Sequence, residues 1–274
     1  MKNLKKLEKS KGVVVFAFNS STIDYVKVAD QTSRLIYTTL NLPVTLITDN
    51  NANPSFNYDH VIKVDSQSGN VRNSSTGELV EWRNFDRYLA YKLSPYDTTI
   101  LLDCDYLVLD KSLLKLLDQN FDYRLMHCSH RPKEDMYQIM GTLGLPLIWA
   151  TVVLFKKSDA AQQYFDLVGR IQQNYFYYSM LFNCVGSFRN DHAFAIANLI
   201  LNGYSIDEYK SIPWSMLTVD KPIESIEIKN DFVVLRRRDS ADVVVRQNIH
   251  VMDKKFLSSD NFKNFVDEIC NEST

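Results

Sequence analysis

Two carboxylates, two residues apart, interrupt an apolar segment near the middle of the chain. Residues 98–110 read TTILLDCDYLVLD, and their apolar residues predict a buried strand that ends at Asp103. In an extended backbone, residues i and i+2 project to the same side, so Asp103 and Asp105 can converge on one point while Cys104 turns away. Such a pair favours a hard divalent cation, Mg²⁺ or Mn²⁺, shared with substrate phosphates. The alternative is a solvated turn that carries two acids, but such turns rarely interrupt buried strands.

The composition is that of a globular protein without a strong overall charge. The 274 residues are 45% hydrophobic and carry a formal net charge of −2, so they can bury a substantial core but exert no global field on nucleic acid or anionic lipid. Four cysteines without paired spacing indicate neither a disulfide framework nor a zinc knuckle. No apolar segment of signal-peptide length follows the basic N-terminus, and no window is long enough to span a membrane. Together with the Lys- and Asn-rich composition, this predicts a soluble, cytoplasmic protein from a bacterium or a phage-infected cell.

Strand and helix signals alternate before the aspartates. The sequence predicts strands at residues 12–18, 42–48 and 61–64, helices at residues 23–40 and 82–93, and a polar loop at residues 66–77. With the strand that ends at Asp103, this β-α-β-β-α-β order predicts a largely parallel sheet with right-handed crossovers. Polar residues directly after a buried strand, such as Asn19, lie where open α/β sheets place their ligands.

Helices and strands continue to alternate after the aspartates. The predicted elements are helices at residues 112–117, 136–145, 158–171, 190–202 and 260–270, strands at 123–128 and 149–155, a polar loop at 129–135, and a strand-rich segment at 226–251. Ser158 is expected to cap its helix, and Gly203 to end the next one. Because no internal repeat and no linker is visible, we expect a single α/β domain over residues 1–274, with a basic tail at residues 1–11.

The aspartates and the helix before them resemble the GT-A fold glycosyltransferases, and among them the glycogenin-like retaining (family 8-type) group. Residues 103–105 match that group's Asp-x-Asp motif, which follows a helix with basic residues, here Arg87 and Lys92. The alternative for these two basic residues is a solvated helix face.

Three later segments resemble the same group. Residues 149–155 (WATVVLF) are similar to a strand of the form NSGVMLF, with Ala150 and Thr151 in place of the Ser-Gly pair. Residues 190–192 resemble an Asp-Gln helix start. Residues 249–255 resemble a segment in which lysine follows a metal-binding histidine, although no glycine separates His250 from Lys254.

The resemblance implies a fold and an activity. The fold would be a single GT-A (Rossmann-like) domain with a central, mostly parallel sheet flanked by helices. Residues 12–110 would form a nucleotide-binding half, and residues 111–274 an acceptor half with the C-terminal strands and helix. The activity would be metal-dependent, retaining transfer of a hexosyl or pentosyl group from a nucleotide sugar, in most cases a UDP-sugar, to an acceptor hydroxyl.

The resemblance also assigns roles to individual residues. Asp103, Asp105 and His250 would hold Mn²⁺ or Mg²⁺. Asp191 would lie beneath the donor sugar with Asn190 beside it, although both residues have the alternative of capping their helix. The residues expected to contact the nucleotide sugar are Ala17, Phe18, Asn19, Asp49, Arg87, Lys92, Asp103, Cys104, Lys254 and Lys255.

Two other functions are compatible with the sequence. A nucleotidyltransferase also places paired aspartates on a metal, but residues 19–24 lack the glycine-rich, basic loop that such an enzyme needs after its first strand. A non-catalytic carbohydrate- or nucleic-acid-binding module would use aromatic side chains and the arginines at residues 236–238, and would not depend on metal. A zinc site at His127, Cys128 and His130 lacks a fourth ligand nearby.

The acceptor and the donor sugar are left open by the sequence. A glycan or lipopolysaccharide precursor, a protein side chain and a hydroxymethylated base in phage DNA are all admissible acceptors. DNA would need a local basic groove, which the N-terminal lysines, the arginines at residues 236–238 and Arg246 could supply.

Overall fold

The computed structural model describes residues 10–65, 70–73, 79–136, 139–140, 145–184, 186–205 and 210–272. Its strands are β1 (Lys11–Phe16), β2 (Val44–Asp49), β3 (His60–Val64), β4 (Asn70–Asn73), β5 (Leu79–Trp82), β6 (Thr98–Asp103), β7 (Tyr106–Leu107), β8 (Tyr123–Met126), β9 (Ser129–Arg131), β10 (Glu134–Met136), β11 (Ile139–Met140), β12 (Leu145–Pro146), β13 (Trp149–Lys156), β14 (Met216–Val219), β15 (Ser225–Lys229), β16 (Phe232–Arg236), β17 (Ala241–Val245) and β18 (Ile249–Val251). Its α-helices are α1 (Tyr25–Leu40), α2 (Ala90–Leu93), α3 (Leu114–Leu117), α4 (Asp159–Gln173), α5 (Tyr175–Leu181), α6 (Asn190–Leu201), α7 (Lys254–Leu257) and α8 (Asp260–Glu272). A 3₁₀ turn at Arg87–Leu89 precedes α2.

A six-stranded sheet forms the centre of the structure, in the order β3-β2-β1-β6-β13-β8. Strands β1, β2, β3 and β6 are parallel, whereas β13 is antiparallel to both of its neighbours. The register pairs Phe16 with Asp103, so the parallel strands end along one edge, and β13 begins at that edge with Trp149. The predicted α/β class with a central, mostly parallel sheet is confirmed.

Helices cover both faces of this central sheet. Val13 and Val15 face a core shared with α1 and α8, while Val14 and Phe16 face a core shared with α4 and α6. A strand buried on both faces reads as an uninterrupted apolar run, which is why residues 13–16 show no polar alternation. Burial of these runs fixes where each strand ends and therefore where the polar residues after it lie.

A second sheet has the strand order β10-β9-β14-β18-β7. The chain leaves the central sheet after β6 and joins this second sheet at β7, directly after Asp105. Strand β7 pairs antiparallel with β18, with Tyr106 opposite His250. The backbone N–H of Val251 donates to the carbonyl oxygen of Asp105 at 2.9 Å. This pairing brings a C-terminal strand beside the aspartates.

The region before the central strand differs from its prediction. Residues 70–73 and 79–82 pair as the hairpin β4–β5, so the described part of the predicted loop at 66–77 is a strand. The helix predicted at 82–93 is confined to the 3₁₀ turn and α2. Residues 66–69 and 74–78 lie outside the described residues.

A second hairpin replaces a predicted loop. Strands β9 and β10 pair within the predicted loop at 129–135, around Lys133 at a φ of 73°. The described residues of the helix predicted at 136–145 lie in β10, β11 and β12, while residues 137–138 and 141–144 lie outside the described part. Both errors share a cause, since a short polar hairpin has no hydrophobic period and is decided by pairing between segments.

The helix start predicted at Ser158 and the helix end predicted at Gly203 are both present in the structure. The Ser158 hydroxyl accepts the N–H of Ala161 at 3.3 Å at the start of α4. Gly203, at a φ of 61°, follows the end of α6. None of the helices in the described ranges combines the length and the apolar character needed to cross a membrane.

Candidate active site

The two aspartates lie where the chain passes from one sheet to the other. Strand β6 ends at Asp103, and β7 begins directly after Asp105. His250 arrives from β18, and one ligand atom from each of the three residues lies within 4.8 Å of the others. The convergence of the two carboxylates and the histidine, expected from the sequence and the resemblance, is therefore present in the structure.

Asp105 is a buried carboxylate with two close partners in this region. Its Oδ2 forms an ion pair with Lys254 Nζ and lies 3.5 Å from His250 Nε2. Although burial raises the pKa of Asp105, the charges of Lys254 and His250 and their hydrogen bonds hold that pKa well below its usual range. Burial lowers the pKa of Lys254 in turn, but the neighbouring Asp105 carboxylate outweighs this and raises it.

Two buried polar atoms of the cluster have no hydrogen-bond partner among the described residues. They are Asp105 Oδ1 and His250 Nδ1. Buried polar atoms without a partner are rare and call for an explanation such as an ion. Carboxylate oxygens with one imidazole form a donor set that suits Mn²⁺ and is compatible with Mg²⁺. The residues present therefore fit a divalent cation.

Arg87 lies beneath the cluster rather than on a solvated helix face. Its side chain is 1% exposed, and Nη1 lies 2.8 Å from Asp103 Oδ1. Its Nε donates to the carbonyl oxygen of Ala150 at 3.0 Å, and Nη2 to that of Thr151 at 3.5 Å. Arg87 thus ties the end of β6 to the start of β13, and its guanidinium is engaged by the protein itself.

Asp191 approaches the cluster from the start of α6. Its Oδ1 accepts the backbone N–H of Ala150 at 2.9 Å. Burial raises the pKa of Asp191; the Ala150 N–H opposes this rise, and the negative charge of Asp103 adds to it. These interactions place Asp191 on the same side of the sheet edge as Asp103.

Neither Asn190 nor Asp191 caps α6. The cap residue is Arg189, which makes no side-chain capping bond. The Asn190 amide Nδ2 donates to the carbonyl oxygen of Asn84 at 2.8 Å, and the Asn190 Oδ1 is buried without a hydrogen-bond partner among the described residues. Capping, the alternative role that the sequence left open, is therefore not what these side chains do.

Sequence reasoning did not single out two aromatic contacts at this edge. The Trp149 ring lies 6.0 Å from the His250 ring at 72°, an edge-on contact. The Tyr175 hydroxyl lies 2.7 Å from Nδ1 of His192. Burial, together with the positive charge of Arg189, lowers the pKa of His192 to about 4. Trp149 could have been found as the first residue of a buried strand that enters the site, whereas the pair of Tyr175 and His192 has no sequence signal.

The residues predicted to lie near the base and ribose follow β1 or end β2 at the same edge. Ala17 N–H donates to the Ile47 carbonyl at 3.0 Å, and Phe18 is buried. Asn19 Oδ1 accepts the Val26 N–H at 2.9 Å, so this side chain anchors α1. Asp49 accepts the Asn51 N–H at 3.0 Å and remains partly exposed.

Three predicted contacts are not brought to the cluster as free polar groups. Cys104 is buried in the hydrophobic core, where burial raises the pKa of its thiol. Lys255 is exposed beyond Lys254 on α7. Lys92 is exposed next to Tyr91, whose hydroxyl donates to Ser158 at the opposite edge of the sheet.

Comparison with known proteins gave structural but no sequence matches. No protein-family model matches the chain, and no match was found among curated protein sequences. The glycosyltransferase GlyE from Streptococcus pneumoniae TIGR4 aligns over 74% of this chain and 45% of its own length, at 15% identity and a TM-score of 0.42. An active-site variant of LgtC aligns over 68% of this chain and 69% of its own, at 15% identity and a TM-score of 0.45.

A second LgtC structure gave a similar alignment. The galactosyltransferase LgtC in complex with donor and acceptor sugar analogues aligns over 66% of this chain and 68% of its own, at 14% identity and a TM-score of 0.43. The aligned region spans less than half of GlyE. GlyE and LgtC are both glycosyltransferases.

Proposed function

We propose that this chain is a metal-dependent, retaining glycosyltransferase that moves a sugar from a nucleotide sugar, a UDP-sugar in the first instance, to an acceptor hydroxyl. The observation that carries the proposal is the convergence of Asp103, Asp105 and His250. It lies at the carboxyl edge of the parallel strands, where open α/β sheets bind nucleotides. Asp191 lies beside it.

A bound divalent cation would give this site its Lewis acid. Bound by Asp103, Asp105 and His250, Mn²⁺ or Mg²⁺ would neutralise the negative charge that develops on the leaving diphosphate. Arg87 holds Asp103 in place from below. Lys254, at the rim of the cluster, supplies a second positive charge for the phosphates.

Asp191 is the carboxylate proposed to face the donor sugar. Its Oδ1 is fixed by the Ala150 N–H, which leaves the second oxygen to orient sugar hydroxyls or to stabilise positive charge on the sugar ring. The buried Oδ1 of Asn190 supplies a hydrogen-bond acceptor from the adjacent position. Ala17, Phe18, Asn19 and Asp49 border the region proposed for the nucleotide base and ribose.

The charges of the C-terminal region support a glycan hydroxyl rather than DNA as the acceptor. Arg236 forms an ion pair with Glu227, and Arg237 lies 3.2 Å from Asp242. Arg246 Nε donates to the Leu109 carbonyl at 3.0 Å. These three arginines are engaged within the protein, which makes them less available to the phosphates that a nucleic-acid-binding module would contact.

The proposal is tested by release of nucleoside diphosphate from a panel of nucleotide sugars with Mn²⁺, Mg²⁺ or EDTA. We expect turnover of one donor that EDTA abolishes and that Asp105→Asn reduces by about 10³-fold. The matched control is Asp118→Asn, which neutralises an exposed carboxylate paired with Lys11 and should keep wild-type turnover. Turnover that persists in EDTA, or no turnover and no donor binding in any condition, would refute the proposal.

Replacing Lys254 is expected to strengthen binding of the metal ion but to slow turnover of the nucleotide sugar. Because its ammonium pairs with the Oδ2 of Asp105, it competes with a cation for that oxygen. We expect Lys254→Met to bind Mn²⁺ about tenfold more tightly in the absence of donor, and to turn over the nucleotide sugar more slowly. Titration of free Mn²⁺ by electron paramagnetic resonance measures the first effect, and nucleoside diphosphate release measures the second.

Lys255→Met is the control for this pair of measurements, because Lys255 is exposed on the same helix. It should leave both the Mn²⁺ affinity and the turnover unchanged. Weaker Mn²⁺ binding by Lys254→Met would show that the lysine does not compete with the cation.

A further inference from the structure

We infer that two copies of this chain associate through β17, whose free edge and exposed side chains are complementary to themselves. Strands β15, β16 and β17 form an antiparallel three-stranded sheet in that order, so β17 is an edge strand among the described residues. One face of this sheet packs on the core through Ile226, Val233 and Leu235. The inference concerns the opposite face and does not depend on the proposed function.

The exposed face of β17 consists of apolar residues. Val243 is 61% exposed and Val245 is 63% exposed, with Ala241 exposed on the same face. Phe232, 48% exposed, lies opposite Val245 on β16. The charged residue of the strand, Asp242, points to the other face, where it pairs with Arg237 and Lys133. Edge strands of soluble proteins are usually protected by charge, proline or a bulge, and among the described residues the exposed face of β17 carries neither a charge nor a proline.

The hydrogen-bond register shows which backbone groups face outward. Arg237 N–H donates to the Ser240 carbonyl at 2.8 Å, and Arg246 N–H to the Asp231 carbonyl at 2.7 Å. The even-numbered residues of β17 therefore form their backbone hydrogen bonds with β16. Because bonding alternates along an antiparallel strand, the N–H and C=O groups of Ala241, Val243 and Val245 point to the free edge.

A twofold axis through the edge at Val243 satisfies these outward groups. Antiparallel pairing of two β17 strands sets Val243 opposite its own copy and Ala241 opposite Val245, and forms about six backbone hydrogen bonds. The side chains of both copies lie on the same face. Since Val234 lies next to Val243 in the register, the central row would read Val234, Val243, Val243 and Val234 across the two copies. A second copy is thus the occupant that this edge matches in both hydrogen bonding and polarity.

The test is sedimentation of the whole chain over a range of concentrations. An interface of one strand pair is small, so we expect self-association at about 1–100 µM. Val243→Lys and Val243→Glu each place like charges face to face at the twofold axis, and each should weaken association at least tenfold. An equimolar mixture of the two variants should restore it, because lysine then faces glutamate.

The mixture separates the inference from simple misfolding, since each variant must be folded for the pair to recover. The control is Val61→Lys, a charge at a 40% exposed valine of the edge strand β3, which should sediment like the wild type. A wild-type chain that stays monomeric at about 100 µM would overturn the inference. So would wild-type association that Val243→Lys does not weaken, or a mixture of variants that does not associate.

Discussion

Arg87→Met is expected to lower the free energy of unfolding by about 3–5 kcal/mol and to abolish the proposed glycosyl transfer. The buried guanidinium forms an ion pair with Asp103 and donates hydrogen bonds to the carbonyl oxygens of Ala150 and Thr151. Its removal leaves the Asp103 carboxylate without its positively charged partner and leaves two buried carbonyl oxygens without their hydrogen-bond donor. The cost of breaking a buried pair falls largely on the charged partner that remains.

Activity should fall by more than the loss of folded protein explains. Arg87 connects the Asp103 end of β6 to the segment of β13 whose Ala150 N–H holds Asp191. Without it, both carboxylates of the proposed site lose a fixed position, and displacements of about 1 Å can cost 10²-fold in rate. Chemical denaturation measures the stability, and nucleoside diphosphate release at a temperature where the variant is folded measures the activity.

Two further variants make this prediction specific. Arg87→Lys keeps the charge but not the planar fork that reaches two carbonyls and a carboxylate, so it should recover only part of the stability. Arg124→Met removes an arginine that also bonds a backbone carbonyl, that of Ser211, away from the cluster, and should retain turnover. A stability change below about 1 kcal/mol in Arg87→Met would contradict the role given to this residue.

The position of Asp103 could be predicted because it depends on local rules. Residues 100–102 form a buried strand whose apolar run is visible in the sequence. Asp103 could therefore be placed at the end of that strand, whereas Cys104 and Asp105 lie in a turn, so the convergence of the two carboxylates does not follow from the spacing of an extended backbone. Parallel strands end together at one edge, so Asn19, which follows the first strand, could be placed at the edge that carries the aspartates, whereas Ala17 and Asp49 were assigned by the resemblance.

The partners of these carboxylates could not be predicted from local pattern, because they come from remote parts of the chain. His250 reaches Asp105 only because β7 leaves the central sheet and pairs with β18, and the resemblance, not the periodicity, pointed to it. Arg87 was expected to contact the donor. Its role as a brace depends on the carbonyls of Ala150 and Thr151, whose approach no helical pattern encodes.

The same limit explains the errors in secondary structure. The hairpins β4–β5 and β9–β10 lie in polar segments without a hydrophobic period. Their strands exist because neighbouring segments pair, and such pairing depends on context more than on residue type. By contrast, α4 and α6 were predicted well, because an apolar stripe and an end signal at Ser158 or Gly203 are both local.

Asp191→Asn is expected to reduce the turnover number by about 10²–10³-fold while the KM for the donor changes little. Asparagine has nearly the shape of aspartate, and its carbonyl oxygen can still accept the Ala150 N–H. What is lost is the negative charge, which we propose acts on the positive charge that develops at the sugar in the transition state. An interaction made mainly in the transition state appears in the turnover number rather than in KM.

The comparison with Asp191→Ala separates the charge from the hydrogen bond. Alanine also leaves the buried Ala150 N–H without its acceptor, so this variant should in addition lose about 1–3 kcal/mol of stability. Asp159→Asn removes the corresponding first-turn acid of α4, which is exposed, and controls for loss of charge at a helix start. If Asp191→Asn keeps the wild-type turnover number while Asp191→Ala is destabilised, then Asp191 serves to position β13, and the charge facing the sugar must come from another group.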